Sequence, residues 1–216
     1  VQPLPYTDAG AHVVFIALLI AWGASELRTR VRTRNNQGGT SAEWGSFVAI
    51  GLTVGAGFLG GFLCATKVEA AAIEFARWPI FILGAILAAA GIAFRQWAIA
   101  VLGAYFTVQV RVSADQPVVE AGPYRYVAHP SYTGILVTFV GIGLMLGNWL
   151  SLACFVLLPT IGLVIRIKVE ERALLAGIGD PYRRVLAGRG GGGPGLGGRN
   201  LVTAAPGAGG GQLNCS

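Results

Sequence analysis

Pro130 to Ile165 reads PSYTGILVTFVGIGLMLGNWLSLACFVLLPTIGLVI, 36 residues without a charge. A membrane-crossing helix takes about 20 apolar residues at about 1.5 Å each. The stretch is too long for one crossing and close to the length of two. Gly147-Asn148, near its middle, is a turn signal. The expectation is a tight helical hairpin, about Ser131–Leu146 and Leu150–Ile165, with Pro159 kinking the second helix.

Further uncharged apolar runs lie upstream: Ala9 to Ser25, Trp44 to Thr66 and Trp78 to Phe94. Each is long enough to cross, or nearly cross, a hydrocarbon core of about 30 Å. Gln96 to Val110 is apolar but short, and is read as a continuation or partial re-entry. The fold class expected is therefore all-α, a polytopic membrane protein of about five transmembrane helices with a C-terminal hairpin. Composition agrees. Charged residues are 12% of the 216, too few to cover a soluble domain, while hydrophobic residues are 54%.

The basic residues orient the spans. With five crossings and the N-terminus outside, only Lys67 and Arg77 of the 16 Lys and Arg face outward. The other 14 fall on the cytoplasmic side, as the positive-inside rule requires. The net charge of +6 thus belongs to membrane topology; no basic module with interleaved aromatics suggests nucleic acid. Cys64, Cys154 and Cys215 are too dispersed for a disulfide framework or zinc site, and His12 lies far from His129, so no metal is expected. The N-terminus lacks a basic n-region, so no cleavable signal peptide is expected. Ala187 to Ser216 holds 12 glycines in 30 residues and reads as a disordered tail behind a membrane domain of residues 1–186.

Gly55-Ala-Gly-Phe-Leu-Gly60 fits the nucleotide-binding G-x-G-x-x-G, but sits inside a span rather than between a strand and a helix. Close helix packing explains it better, through Gly51/Gly55 and Gly57/Gly61.

Polar groups gather in two places. Gln109 to Tyr132 reads QVRVSADQPVVEAGPYRYVAHPSY, a proline- and aromatic-rich segment beside apolar spans. Polar residues at the edge of hydrocarbon are costly and are functional candidates by default. After the hairpin comes Arg166-Ile-Lys-Val-Glu170-Glu171. Arg166 and Glu170 are four apart and share a helix face, with Glu171 turned away by about 100°. On spacing alone, a surface salt bridge with a cytoplasmic anchor explains Arg166 and Glu170 better than a site does.

GPYRYVAHPSYTG, an apolar hairpin, then EERALLAGIGDPYRR together resemble the isoprenylcysteine carboxyl methyltransferase family, multi-span membrane enzymes that use S-adenosylmethionine. The resemblance covers about Gln96 to Tyr182, so the catalytic part is expected at about 96–186. It implies a cytoplasmic cofactor region. Gln109, Gln116, Pro117, Val118, Val119, Tyr124, His129, Pro130, Ser131, Tyr132 and Glu170 would hold S-adenosylmethionine, and Arg166 would meet the acceptor's carboxylate. The family's Arg before His-Pro is Ala128 here, and an expected aromatic is Val185. The residue chemistry suits the assignment. A carboxylate suits a cation or ribose hydroxyls, aromatic faces suit adenine and a sulfonium, and guanidinium forks a carboxylate.

The expected partners are the lipid bilayer and a lipid-like or prenylated small-molecule or peptide acceptor, with no nucleic acid. With 14 Arg to 2 Lys and much Ala and Gly, a high-GC bacterium and its inner membrane are expected. Alternative readings are a lipid-amine N-methyltransferase, an NADPH-dependent membrane reductase of similar layout, and a non-catalytic scaffold or carrier. A carrier places its polar groups at mid-bilayer; here they collect at one membrane face.

Overall fold

A computed structural model describes residues 2–33, 41–103 and 121–177 of the chain. The described residues are all-helical, with a short α1 (Leu4–Thr7) and then α2 (Ala9–Thr33), α3 (Ser41–Lys67), α4 (Arg77–Leu102), α5 (Pro130–Met145) and α6 (Trp149–Gly177). Short 3-10 turns occur at Glu69–Ala71 and Gly122–Arg125. The only β pairing among the described residues is an isolated antiparallel bridge, Ala72 to Asn148.

Four helices, α2, α3, α4 and α6, are long and apolar enough to cross a membrane; α5 is a shorter apolar helix. Large apolar side chains such as Val13, Ile20, Leu52, Leu59, Ile86 and Leu157 point outward and stay exposed. In water that surface would be prohibitive; in lipid it is the ordinary solvent contact. The chain is an integral membrane protein.

The hairpin forms where expected, but its second arm is longer. Helix α6 runs unbroken through Pro159 and continues to Gly177, twelve residues beyond Ile165. Helix α2 likewise passes Ser25 to Thr33, and α4 passes Phe94 to Leu102. So Gln96–Val110 begins as a continuation of α4. Gly103, at φ +56°, ends that helix, and the rest lies outside the described residues. The domain boundary at 186 and the Gly-rich tail also lie outside them.

The hairpin turn is built on Gly147, whose φ of +59° favours glycine. Asn148 is buried and caps α6, its Oδ1 accepting from the Ser151 amide at 3.0 Å. Its Nδ2 donates to the Val68 carbonyl at 2.9 Å, tying the turn to the end of α3. The Ile73 amide donates to the Gly147 carbonyl at 2.7 Å, closing that end of the bundle.

Backbones approach most closely between α4 and α5. A Cβ on Gly91 would lie 2.5 Å from the Thr138 amide nitrogen, and one on Gly134 would lie 2.9 Å from that of Arg95. Between helices in lipid there is no water to expel, so small residues that permit contact are the main source of association. Of the two glycine pairs, Gly57 and Gly61 do meet α6, against Cys154, Pro159 and Phe155. Gly51 and Gly55 do not: both face open space, which corrects the expectation that they serve packing within this chain. Helix α2 is held by aromatic rings instead. Trp22 stacks on Phe58 at 5.1 Å between centroids and meets Phe139 edge-on at 5.5 Å.

Candidate functional site

Because three helices overrun the apolar segments, their polar ends collect at one end of the bundle. Glu26 of α2, Ser46 of α3, Arg95 of α4, His129 to Tyr132 at the start of α5, and Arg166 to Glu171 of α6 all come together there.

The start of α5 is stiff. Pro130 occupies its first position and is buried, and His129 precedes it with no side-chain cap. The preceding Gly122–Arg125 turn packs on α4. Gly122 has φ +56°, and a Cβ there would stand 3.0 Å from a Val101 methyl. This explains the Gly-Pro of the motif: only glycine suits both the backbone angle and the contact. The turn holds Tyr124, whose phenol is pushed up to about 12, first by burial and then by the nearby Glu170 carboxylate. Arg95 pulls the other way. Tyr124 is therefore a neutral hydrogen-bond donor at ordinary pH.

Tyr132 and His129 lie together on the first turn of α5, rings stacked at 5.7 Å and 23° apart. The Tyr132 hydroxyl donates to Glu170 Oε2 at 2.6 Å. His129 Nε2 pairs with Glu171 Oε1 across 3.1 Å. Consecutive carboxylates of α6 thus each engage one of these two rings. Glu171 is brought into the cluster, which its turn away from the Arg166–Glu170 face did not suggest; the adjoining His-Pro-x-Tyr spacing was the available signal.

Arg166 is buried, at 5% exposure, and its Nη1 donates to Ser46 Oγ at 3.0 Å. It also lies close enough to the Tyr132 hydroxyl, with Glu170, to act on it electrostatically. Arg166, Tyr132 and Glu170 therefore share one locus, as expected from the sequence.

Besides Glu171, the cluster contains three polar residues that the sequence analysis does not single out. Arg95 is 7% exposed. Its Nε donates to Glu26 Oε1 at 2.5 Å and its Nη2 to Oε2 at 2.9 Å, a two-pronged pair. Its Nη1 donates to the Ser131 hydroxyl at 2.5 Å and the Ser131 carbonyl at 3.3 Å. Ser131 is thus engaged by Arg95. Ser46 was the third. The usable signal was Arg95 itself, an arginine directly after an apolar run and within a helix.

Of the residues expected to hold a cofactor, Tyr124, His129, Pro130, Ser131, Tyr132 and Glu170 assemble here, with Arg166. Gln109, Gln116, Pro117, Val118 and Val119 lie outside the described residues. Among the described residues, no group of three or more His, Cys, Asp and Glu side chains could hold a metal ion.

Residues 83–176 match the isoprenylcysteine carboxyl methyltransferase family. Over 163 residues the chain is 29% identical to a protein-S-isoprenylcysteine O-methyltransferase of Schizosaccharomyces pombe, covering 68% of this chain and 69% of that one. It is also 29% identical over 70 residues to the Bacillus subtilis protein YpbQ, covering 32% of this chain and 42% of the other. The matched family segment runs from within α4 to the end of α6 and includes every member of the cluster except Glu26 and Ser46. Over that segment, the chain is similar to the isoprenylcysteine carboxyl methyltransferase family.

Proposed function

We propose that this protein transfers a methyl group from S-adenosylmethionine to the carboxylate of an amphipathic, lipid-like or prenylated acceptor. The observation that carries this reading is a buried arginine, Arg166, beside the Tyr132–Glu170 pair at the charged end of a lipid-facing bundle.

The donor set fits the cofactor. Glu170, and Glu171 beyond it, offer carboxylates to an ammonium or to ribose hydroxyls. Tyr124, His129 and Tyr132 offer ring faces and neutral donors. When bound, S-adenosylmethionine supplies an electrophilic methyl group carried on sulfur. The protein's own work is then positional. Arg166 would hold both oxygens of the acceptor carboxylate in a guanidinium fork. A carboxylate has no proton to lose, so no general base is needed. The apolar helices around the cluster exclude water from the reacting groups. Orientation of two reactants in this way supplies roughly 7–11 kcal/mol of barrier reduction.

The test is binding of radiolabelled S-adenosylmethionine to the purified protein in detergent, then turnover on prenyl-thioether and fatty carboxylates beside lipid amines. Methylation of carboxylates is expected. Methylation of amines alone would overturn the acceptor assignment, and binding of NADPH in place of the methyl donor would overturn the reaction class.

We also propose that the charged end faces the cytoplasm of a bacterial inner membrane. Arg28, Arg30, Arg32, Arg95, Arg125, Arg166, Lys168 and Arg172 belong to that end, whereas Lys67 and Arg77 belong to the opposite one. Reporter fusions after Arg34 and after Tyr182 should report cytoplasm, and one at Asn148 the outer side. A cytoplasmic signal at Asn148 would reverse the orientation.

A further inference from the structure

Arg95 donates four hydrogen bonds within the described cluster, and none of them goes to Glu170. Two of its nitrogens hold Glu26 of α2, and the third holds the hydroxyl and carbonyl of Ser131. Ser131 is the second residue of α5, and Tyr132, which donates to Glu170, is the next. A guanidinium is an unexpected neighbour for a helix start. The first turn of a helix carries partial positive charge and favours anions. The arrangement is tolerable because Glu26 neutralises Arg95 with both carboxylate oxygens. Burying either charge without the other would cost far more than the pair.

The consequence is a relay of fixed geometry: Glu26 sets Arg95, Arg95 sets Ser131, and the backbone carries Tyr132 with it. Arg95 also acts electrostatically on Tyr124, on the other wall of the cluster. The α5 start has no side-chain cap from His129 to hold it. On the methyltransferase reading above, we propose that Arg95, clamped by Glu26, is a positioning residue for methyl transfer. It fixes the first turn of α5 so that Tyr132 meets Glu170 and Arg166 in the productive arrangement. The first span, which lies outside the family segment, is thereby part of the working site.

A plain tie between α2 and α4 would need only opposite charges at the two positions. Positioning of α5 needs the donors of arginine on the α4 side. The charge-swapped double variant Glu26→Arg/Arg95→Glu separates these. In full-length protein in detergent, three quantities are read: the thermal unfolding midpoint, S-adenosylmethionine affinity by calorimetry, and hydrogen exchange of the Tyr132 and Thr133 amides without ligand. Both amides donate to the His129 carbonyl, so they report directly on the first turn.

The swap should recover much of the midpoint lost in Glu26→Gln, while the two amides stay deprotected and affinity stays reduced. Turnover on an S-prenyl cysteine carboxylate should fall roughly tenfold or more, since misplacement by an ångström costs up to about a hundredfold. Arg95→Lys, which keeps the charge but not the fork, should behave like the swap in exchange and affinity. If either of these proteins does not fold, Ser131→Ala carries the test, because it keeps the Glu26–Arg95 pair and removes only the hydroxyl. Deprotection of the two amides is again expected. Restoration of all three quantities by the swap, or unchanged exchange in Ser131→Ala, would overturn the proposal. Absence of cofactor binding by the unaltered protein would instead overturn the methyltransferase reading, and the exchange of the unliganded protein tells the two failures apart.

Discussion

Glu170→Ala should weaken S-adenosylmethionine binding at least tenfold, about 1.4 kcal/mol or more. A charge-assisted hydrogen bond in a partly buried site is worth about 1.5–3 kcal/mol, so the expected loss is within its reach. The substitution removes a carboxylate that would hold the cofactor's cationic or hydroxyl groups, and it also strips Tyr132 of its acceptor. Glu171→Ala should cost less. Its carboxylate is one-third exposed, at 34%, and water screens and replaces what it contributes. It does pair with His129, so a small effect is expected rather than none. His129→Ala should reduce binding, through loss of the ring stacked on Tyr132. His12→Ala should leave it unchanged, because that imidazole bonds the Pro5 carbonyl at the far end of α2. Calorimetric titration of the four variants checks the order. Equal losses for Glu170→Ala and Glu171→Ala would remove the distinction between the two carboxylates.

Helix identity was legible because hydrocarbon demands long uncharged runs, and the hairpin because Gly147-Asn148 interrupts the longest. The helix ends were not. An apolar run stops at its first charge, but the helix need not. Backbone hydrogen bonds carry α2, α4 and α6 past Ser25, Phe94 and Ile165 into the interfacial region. That overrun is what makes the site. Glu26 and Arg95 look like span-ending charges in the sequence. In three dimensions they are partners 69 positions apart, a pairing that no local pattern encodes. Arg166 and Glu170 were legible because a helix places residues four apart on one face. Glu171 was assigned away from them by the same rule, yet His129 reaches it from another helix. The Gly51/Gly55 pair shows the limit from the other side. Spacing qualified it for packing, but which face of α3 met α6 was decided by Gly57, Gly61 and the rings of Phe58 and Phe155.

Arg166→Lys should leave cofactor affinity nearly intact and lower methyl transfer tenfold or more, about 1.4 kcal/mol of barrier. The side chain is buried and already oriented, with one guanidinium nitrogen donating to Ser46 Oγ at 3.0 Å. That bond fixes the plane of the fork from the α3 side. The Tyr132 hydroxyl lies close on another side, and Glu170 holds that hydroxyl in turn. A carboxylate entering from the lipid side would find a planar group whose angle is set before it arrives, with little ordering left to do on binding. Lysine keeps the charge but presents a single rotatable ammonium. It cannot bond Ser46 and both acceptor oxygens in one plane. On the proposed assignment Glu170 and Tyr132 hold the cofactor; lysine keeps the positive charge beside Tyr132 and leaves the Tyr132–Glu170 bond in place, so affinity for the cofactor should hold. If Arg166 served only to balance the charge of Glu170, lysine would substitute well and turnover would survive. Ser46→Ala gives an independent check. It leaves the guanidinium whole but frees its orientation, and should lower turnover by a smaller factor, again with cofactor affinity unchanged. The paired measurement is calorimetry for the cofactor and initial rates on prenyl-thioether and fatty carboxylates. Wild-type turnover in Arg166→Lys would take Arg166 out of the acceptor site. A matching fall in cofactor affinity would place it among the cofactor's contacts instead.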